Sequence, residues 1–81
     1  METKKLLTQL EECAKNIGIE IRYDKGKFES GFCKVGERNI LVLHKNKAEE
    51  EYIRIIGEEL VKHDLEKIYL MPVVRNYLDS L

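Results

Sequence analysis

The sequence predicts a small α+β domain in which a three-stranded antiparallel sheet packs against helices, in the order α-β-β-β-α-α. Two observations predict this class: the apolar spacing changes from helical to strand-like after Gly18, and it becomes helical again after Asn46. The chain has 81 residues with no internal repeat and no linker-like segment. Residues 1–81 are therefore predicted to form a single domain.

The amino-terminal half predicts one helix followed by strands. Residues 3–17 place their apolar side chains three and four positions apart, which is typical of a helix with one buried side, and Gly18 suits its end. Strands are predicted at residues 19–23, 28–35 and 40–43. The last of these is a run of four apolar residues, which favours a central strand covered on both faces.

The carboxy-terminal half predicts two more helices. A capping box that begins at Asn46 predicts a helix from near Lys47 to near His63. Residues 64–70 are compatible with a turn of helix, a short edge strand or an extended stretch. Pro72 suits the first position of a last, short helix.

Gly57 interrupts the second predicted helix, where a glycine costs about 1 kcal/mol relative to alanine. One interpretation is a close approach of the backbone by the amino-terminal helix or by a second subunit. The alternative is a tolerated surface glycine.

Composition narrows the classes of function. The 14 Lys and Arg residues nearly balance the 15 Asp and Glu residues, which weakens the expectation of a general nucleic-acid binder. No apolar run approaches the roughly 20 residues that span a bilayer, so no membrane association is expected. The lack of a signal-peptide apolar region predicts a cytoplasmic protein, in which the two cysteines remain thiols.

Glu59 and His63 are the most informative polar residues of the second helix. They lie four residues apart and project from within its apolar arc. The favoured interpretation is a mutual hydrogen bond at the edge of the core, because buried polar groups need partners. Catalysis, metal ligation and contact with a partner are the alternatives.

A family resemblance begins at the same helix. Residues 58–63, Glu-Glu-Leu-Val-Lys-His, resemble the helix of the zincin-type metallopeptidases, which carries His-Glu-x-x-His. The resemblance covers roughly residues 28–63. Aligned on the Glu-Leu pair, Glu59 matches the family's general base, but Glu58 and Lys62 occupy the positions of the zinc-binding histidines.

The other alignment of this motif also departs from the family. Aligned on His63, Glu59 takes the first histidine position and Leu60 takes the general-base position. The resemblance therefore implies a zincin-like scaffold that lacks peptidase chemistry, and a zinc-dependent hydrolase remnant is an alternative function. The chain also resembles short bacterial proteins of no known activity, through Gly-Phe-Cys at residues 31–33 and Pro-Val-Val-Arg at residues 72–75.

Four side chains are of the types that bind zinc or support a nucleophilic thiol. They are Cys13, Cys33, His44 and His63. Their spacing fits no compact zinc motif, and they would have to converge from separate elements. Small core residues are the favoured interpretation of both cysteines, so no metal and no cofactor is predicted.

The basic hairpin is the candidate nucleic-acid surface. Its Lys25, Lys27 and Lys34 alternate with aromatic residues, an arrangement that suits stacking on a single strand. Solvated turn residues are the favoured interpretation, so nucleic acid is an unlikely partner and a single-stranded nucleic-acid module stays an alternative function.

The predicted function is a small non-catalytic interaction or accessory domain, with a homodimer or another protein as its partner. No catalytic residue is assigned. The candidate partner surface is an exposed apolar patch near the carboxy terminus, built from Tyr69, Met71, Val74 and Tyr77.

Overall fold

The computed structural model describes residues 3–25 and 31–81. The elements are helix α1 (Thr3–Asn16), strands β1 (Ile19–Asp24), β2 (Gly31–Val35) and β3 (Arg38–His44), and helices α2 (Glu49–Leu60) and α3 (Pro72–Asp79). This confirms the α+β class and the order α-β-β-β-α-α. The first part of the predicted second strand, residues 28–30, lies outside the described residues.

Strand β3 lies in the centre of the sheet, as its apolar run predicts, and the strand order is β1-β3-β2. Strand β2 pairs antiparallel with β3 through a tight turn at Gly36, which has a φ of +63°. Strand β1, however, pairs parallel with β3. The sheet is thus mixed rather than antiparallel throughout. Strand β2 runs in the direction opposite to β1, and β3 reverses the direction again, so β3 runs parallel to β1.

The register of the sheet divides its side chains between two faces. Ile21 of β1 and Phe32 of β2 both lie opposite Leu41, so these three side chains point to the same face. That face packs on the helices. Cys33 lies opposite Ile40 on the other face, where Ile40 is buried but does not belong to the main core cluster.

The core forms between the helix-facing side of the sheet and the three helices. Its largest fully buried side chains, under 2% exposed, are Leu10, Leu41, Leu43, Ile56, Leu60 and Val74. Each such side chain stabilises the fold by about 1.5–3 kcal/mol relative to an exposed position. All three helices contribute to this set, and α1 packs against β1 and against both other helices.

Tyr52 holds the connection between β3 and α2. Its hydroxyl donates a hydrogen bond to the His44 carbonyl oxygen at 2.6 Å and accepts one from the Lys47 backbone N–H at 3.0 Å. The predicted cap is wrong in position: Asn46 has a φ of +68° in the connection, and Ala48 is the N-cap. The tyrosine hydroxyl therefore fixes the start of this helix, a role that no local sequence pattern shows.

Tyr23 connects the sheet to α1 and α2. Its ring meets the Tyr52 ring edge to face, with centroids 5.0 Å apart, and its hydroxyl donates a hydrogen bond to the Glu11 carboxylate. Burial, followed by the hydrogen bond and charge of Glu11, raises the pKa of Tyr23. The phenol therefore stays protonated and keeps this hydrogen bond throughout the neutral pH range.

Helices α2 and α3 approach closely at Gly57, which is buried. A Cβ atom at this position would lie 2.8 Å from Cε2 of Tyr77 and 3.1 Å from Cδ1 of Leu81. The glycine thus makes room for the carboxy-terminal helix, rather than for the amino-terminal helix or for solvent.

None of the helices in the described ranges combines the length and the apolar character needed to cross a membrane.

Replacing Gly57 tests this close approach. We expect Gly57→Leu to lower the free energy of unfolding by about 1 kcal/mol or more, because overpacking against Tyr77 costs about 1–3 kcal/mol and exceeds the gain in helix propensity. The matched control is Glu58→Leu, at an exposed neighbouring position, with an expected change within about 0.5 kcal/mol. Urea unfolding measures both, and equal stabilities for the two variants would contradict the packing.

Candidate functional site: a cleft beside Glu59 and His63

Glu59 and His63 form the expected hydrogen bond at the end of α2. The Nε2 atom of His63 lies 2.8 Å from the Glu59 carboxylate, and the two side chains are 30% and 12% exposed. The ammonium group of Lys62 lies 3.9 Å from the same carboxylate but is itself well exposed. The pair is therefore a half-buried, mutually satisfied contact at the edge of the core.

His63 also lines a cleft of about 420 Å³ between the end of α2, the irregular segment that follows it and helix α3. Four apolar side chains line the cleft: Val61, Leu65, Leu70 and Leu78. Leu70 and Leu78 belong to the core, so the inner part of the cleft is rigidly supported. Val61 lies at the outer part and is 47% exposed.

Charged side chains complete the lining of the cleft. Arg75 and Asp79 come from α3, and Glu66 comes from the segment that follows α2. The lining thus carries one basic and two acidic side chains beside His63. The accessible lining of the cleft is thus more polar than apolar, and its charges of both signs suit a polypeptide better than a polyanion.

An exposed aromatic residue extends this surface on the other side of His63. The Phe32 ring lies with its centroid 5.7 Å from that of His63, and the planes are tilted by 57°. Phe32 is 39% exposed although it lies on the helix-facing side of the sheet. His63 therefore contacts strand β2 through Phe32 and also lines the cleft.

The structure separates the four candidate zinc or thiol residues. Cys13 is buried on α1, whereas Cys33 lies on the opposite face of the sheet from the Phe32–His63 contact. His44 is four residues beyond the β3 partner of Cys33, about 13 Å along the strand. Within the described residues, no three His, Cys, Asp or Glu side chains come together as metal ligands would.

The cleft has no nucleophile that the Glu59–His63 pair could activate. A histidine base needs a hydroxyl or thiol within hydrogen-bond reach. None of the described residues that line the cleft is Ser, Thr or Cys. The hydrogen bond to Glu59 orients the ring of His63, which forms part of the cleft wall.

The two candidate lysines that the structure describes, Lys25 and Lys34, do not form one compact surface. Lys34 lies at the level of Asn39 in β3, whereas Lys25 lies beyond the level of His44. The two lysines are thus at opposite ends of the sheet, at least about 17 Å apart along the strand direction. Lys27 lies outside the described residues.

The candidate carboxy-terminal patch is divided between the core and the surface. Val74 is 1% exposed and belongs to the core, so it is not open to a partner. Tyr77 packs beside Gly57, and Met71 is partly buried against the core. Tyr69 is 78% exposed and is the one member of the set that is fully open to solvent.

Most of the cleft could not be predicted from the sequence, because much of the cleft lining comes from residues 61–70, whose sequence pattern fits several local structures. Helical spacing from Val74 places Leu78 on the same buried face, and it places Arg75 and Asp79 beside that face. This spacing is the sequence pattern that predicts the side of the cleft formed by α3. No comparable period exists in residues 61–70, which form turns and bends.

Comparisons of the chain with protein-family models, with curated proteins and with solved structures found no match.

The two thiols are expected to differ strongly in reactivity. Burial, followed by the charge of Glu12, raises the pKa of Cys13, whereas Cys33 is exposed. We expect an aromatic disulfide reagent at mildly alkaline pH to modify Cys33 at once and Cys13 at least about 100-fold more slowly, because access to Cys13 requires the fold to open. Cys33→Ser should remove the fast phase. Equal rates for the two thiols would contradict the position of Cys13 in the core.

Proposed function

We propose that this protein is a non-catalytic interaction domain whose cleft beside His63 binds an apolar side chain of a protein partner. The observation that carries the proposal is that two exposed apolar side chains meet at His63: Val61 lines the same cleft as His63, and the Phe32 ring centroid lies 5.7 Å from that of His63. Protein interfaces typically have such an apolar centre with a polar rim.

The charges around the cleft support a polypeptide partner. Arg75 can pair with an acidic group of the partner, and Glu66 and Asp79 can pair with basic groups or backbone N–H donors. A nucleic-acid strand would place phosphates beside two carboxylates, which repel them. A protein segment with a central apolar residue and flanking polar residues fits this lining better.

The inner wall of the cleft supports selectivity. Leu70 is 8% exposed and Leu78 is 6% exposed, and both are held by core packing. The ring of His63 is oriented by its 2.8 Å hydrogen bond to Glu59. A partner side chain would therefore meet a largely preformed surface, which lowers the entropy cost of binding.

Peptide selection on the immobilised 81-residue chain tests the proposal. We expect random-peptide display to yield binders with an apolar anchor residue, and Val61→Glu to weaken their binding at least about tenfold, or about 1.4 kcal/mol. The reason is that a carboxylate at the outer part of the cleft would have to be desolvated by the apolar anchor. Isothermal titration of the selected peptides measures the affinity.

The chain offers a matched control for this substitution. Val35→Glu also introduces a carboxylate at an exposed valine, 56% exposed compared with 47% for Val61, but on the face of the sheet opposite the helices. Binding should stay within about twofold of the original protein. Peptides that lose affinity on Val35→Glu and keep it on Val61→Glu would show that the cleft is not the binding site.

A further inference from the structure

We propose that the free edge of β1 binds β1 of a second copy of this chain, in antiparallel register centred on Ile21. Strand β1 lies at one end of the strand order, so its outer edge pairs with no other strand of the described chain. Such edges bind added strands through backbone hydrogen bonds. The proposal concerns a different surface from the cleft and does not depend on its function.

The charges of β1 are complementary to themselves in this register. Glu20 and Arg22 flank Ile21 and point away from the helices, and their side chains are 42% and 62% exposed. Within one chain Arg22 lies 3.5 Å from Glu20 and Arg38 lies 2.6 Å from it, so a second copy would add cross-strand pairs to a local charge network. An antiparallel pair centred on Ile21 places Glu20 of each copy directly opposite Arg22 of the other. Opposite charges in such cross-strand pairs stabilise a sheet, and a two-fold axis creates both pairs at once.

An open groove runs beside the β1 edge on its helix-facing side. A groove of about 510 Å³ lies between α1 and the edge of β1, next to Ile19 and Ile21. In the proposed register Ile21 meets its own copy, and Ile19 lies opposite Tyr23. Glu11 and Lys15 of α1 also line the groove. A second copy would present the same two residues, so each copy would contribute one acidic and one basic side chain.

The other edge of the sheet lacks this complementarity. An antiparallel pair of β2 strands centred on Cys33 would place the apolar Phe32 opposite Lys34. A shift of the β1 register by one residue would likewise place charged side chains opposite apolar ones. The pairing of two β1 strands centred on Ile21 is therefore the arrangement that the side chains favour.

Charge exchange tests the register. Light scattering should give twice the 9.5 kDa chain mass for the unmodified protein at about 0.1 mM. We expect Arg22→Glu alone, or Glu20→Arg alone, to weaken the dimer at least about tenfold, because each change places like charges opposite one another twice. The double variant with both changes should recover the dimer, and an equimolar mixture of the two single variants should form a heterodimer.

Arg54→Glu is the matched control. Arg54 is a 60% exposed arginine on helix α2 that pairs with Glu58 and does not belong to β1. This variant should keep the dimer mass. Circular dichroism shows whether each variant is folded, and the mixing experiment distinguishes lost pairing from lost folding.

Two results would overturn the proposal. One is a monomer mass for the unmodified protein at this concentration. The other is a dimer that persists in Arg22→Glu and in Glu20→Arg, since an interface elsewhere on the chain would be indifferent to both changes.

Discussion

The pairing of β3 with a strand on each side is the constraint on which the rest of the structure depends. Leu41 and Leu43 of this strand are almost fully buried beneath the helices, so the strand cannot shift by one residue without exposing them. Its position fixes β1 as one edge and β2 as the other. The hydrogen bond from the Tyr52 hydroxyl to the His44 carbonyl oxygen, at the end of β3, then fixes where α2 begins.

The alternation of side chains between the two faces of the sheet decides which potentially reactive residues lie close together. Phe32 points to the helices and reaches His63, and its neighbour Cys33 must therefore point to the opposite face. The sheet thus separates the thiol from the Glu59–His63 pair. What remains around His63 is a cleft lined by apolar side chains and by charges of both signs, on which the proposed recognition of a protein rests.

Local patterns predicted the elements well, because each depends on neighbouring residues. The period of three and four from Thr3, the glycine at position 36 and Pro72 all mark elements of the structure. The parallel pairing of β1 was not predictable in this way, since both pairings bury the same side chains. The cleft depends on how residues 61–71 fold over α3, and the mutual fit of Gly57 and Tyr77 depends on tertiary contact.

The most direct test of this account is to measure nuclear Overhauser contacts between the backbone protons of the strands. The account predicts contacts of Ile21 with Leu41 in a parallel register and of Phe32 with Leu41 in an antiparallel register. Contacts between β1 and β2, with β3 at an edge, would contradict it. The two faces of the sheet, the free edge of β1 and the separation of Cys33 from His63 would then all have to be reassigned.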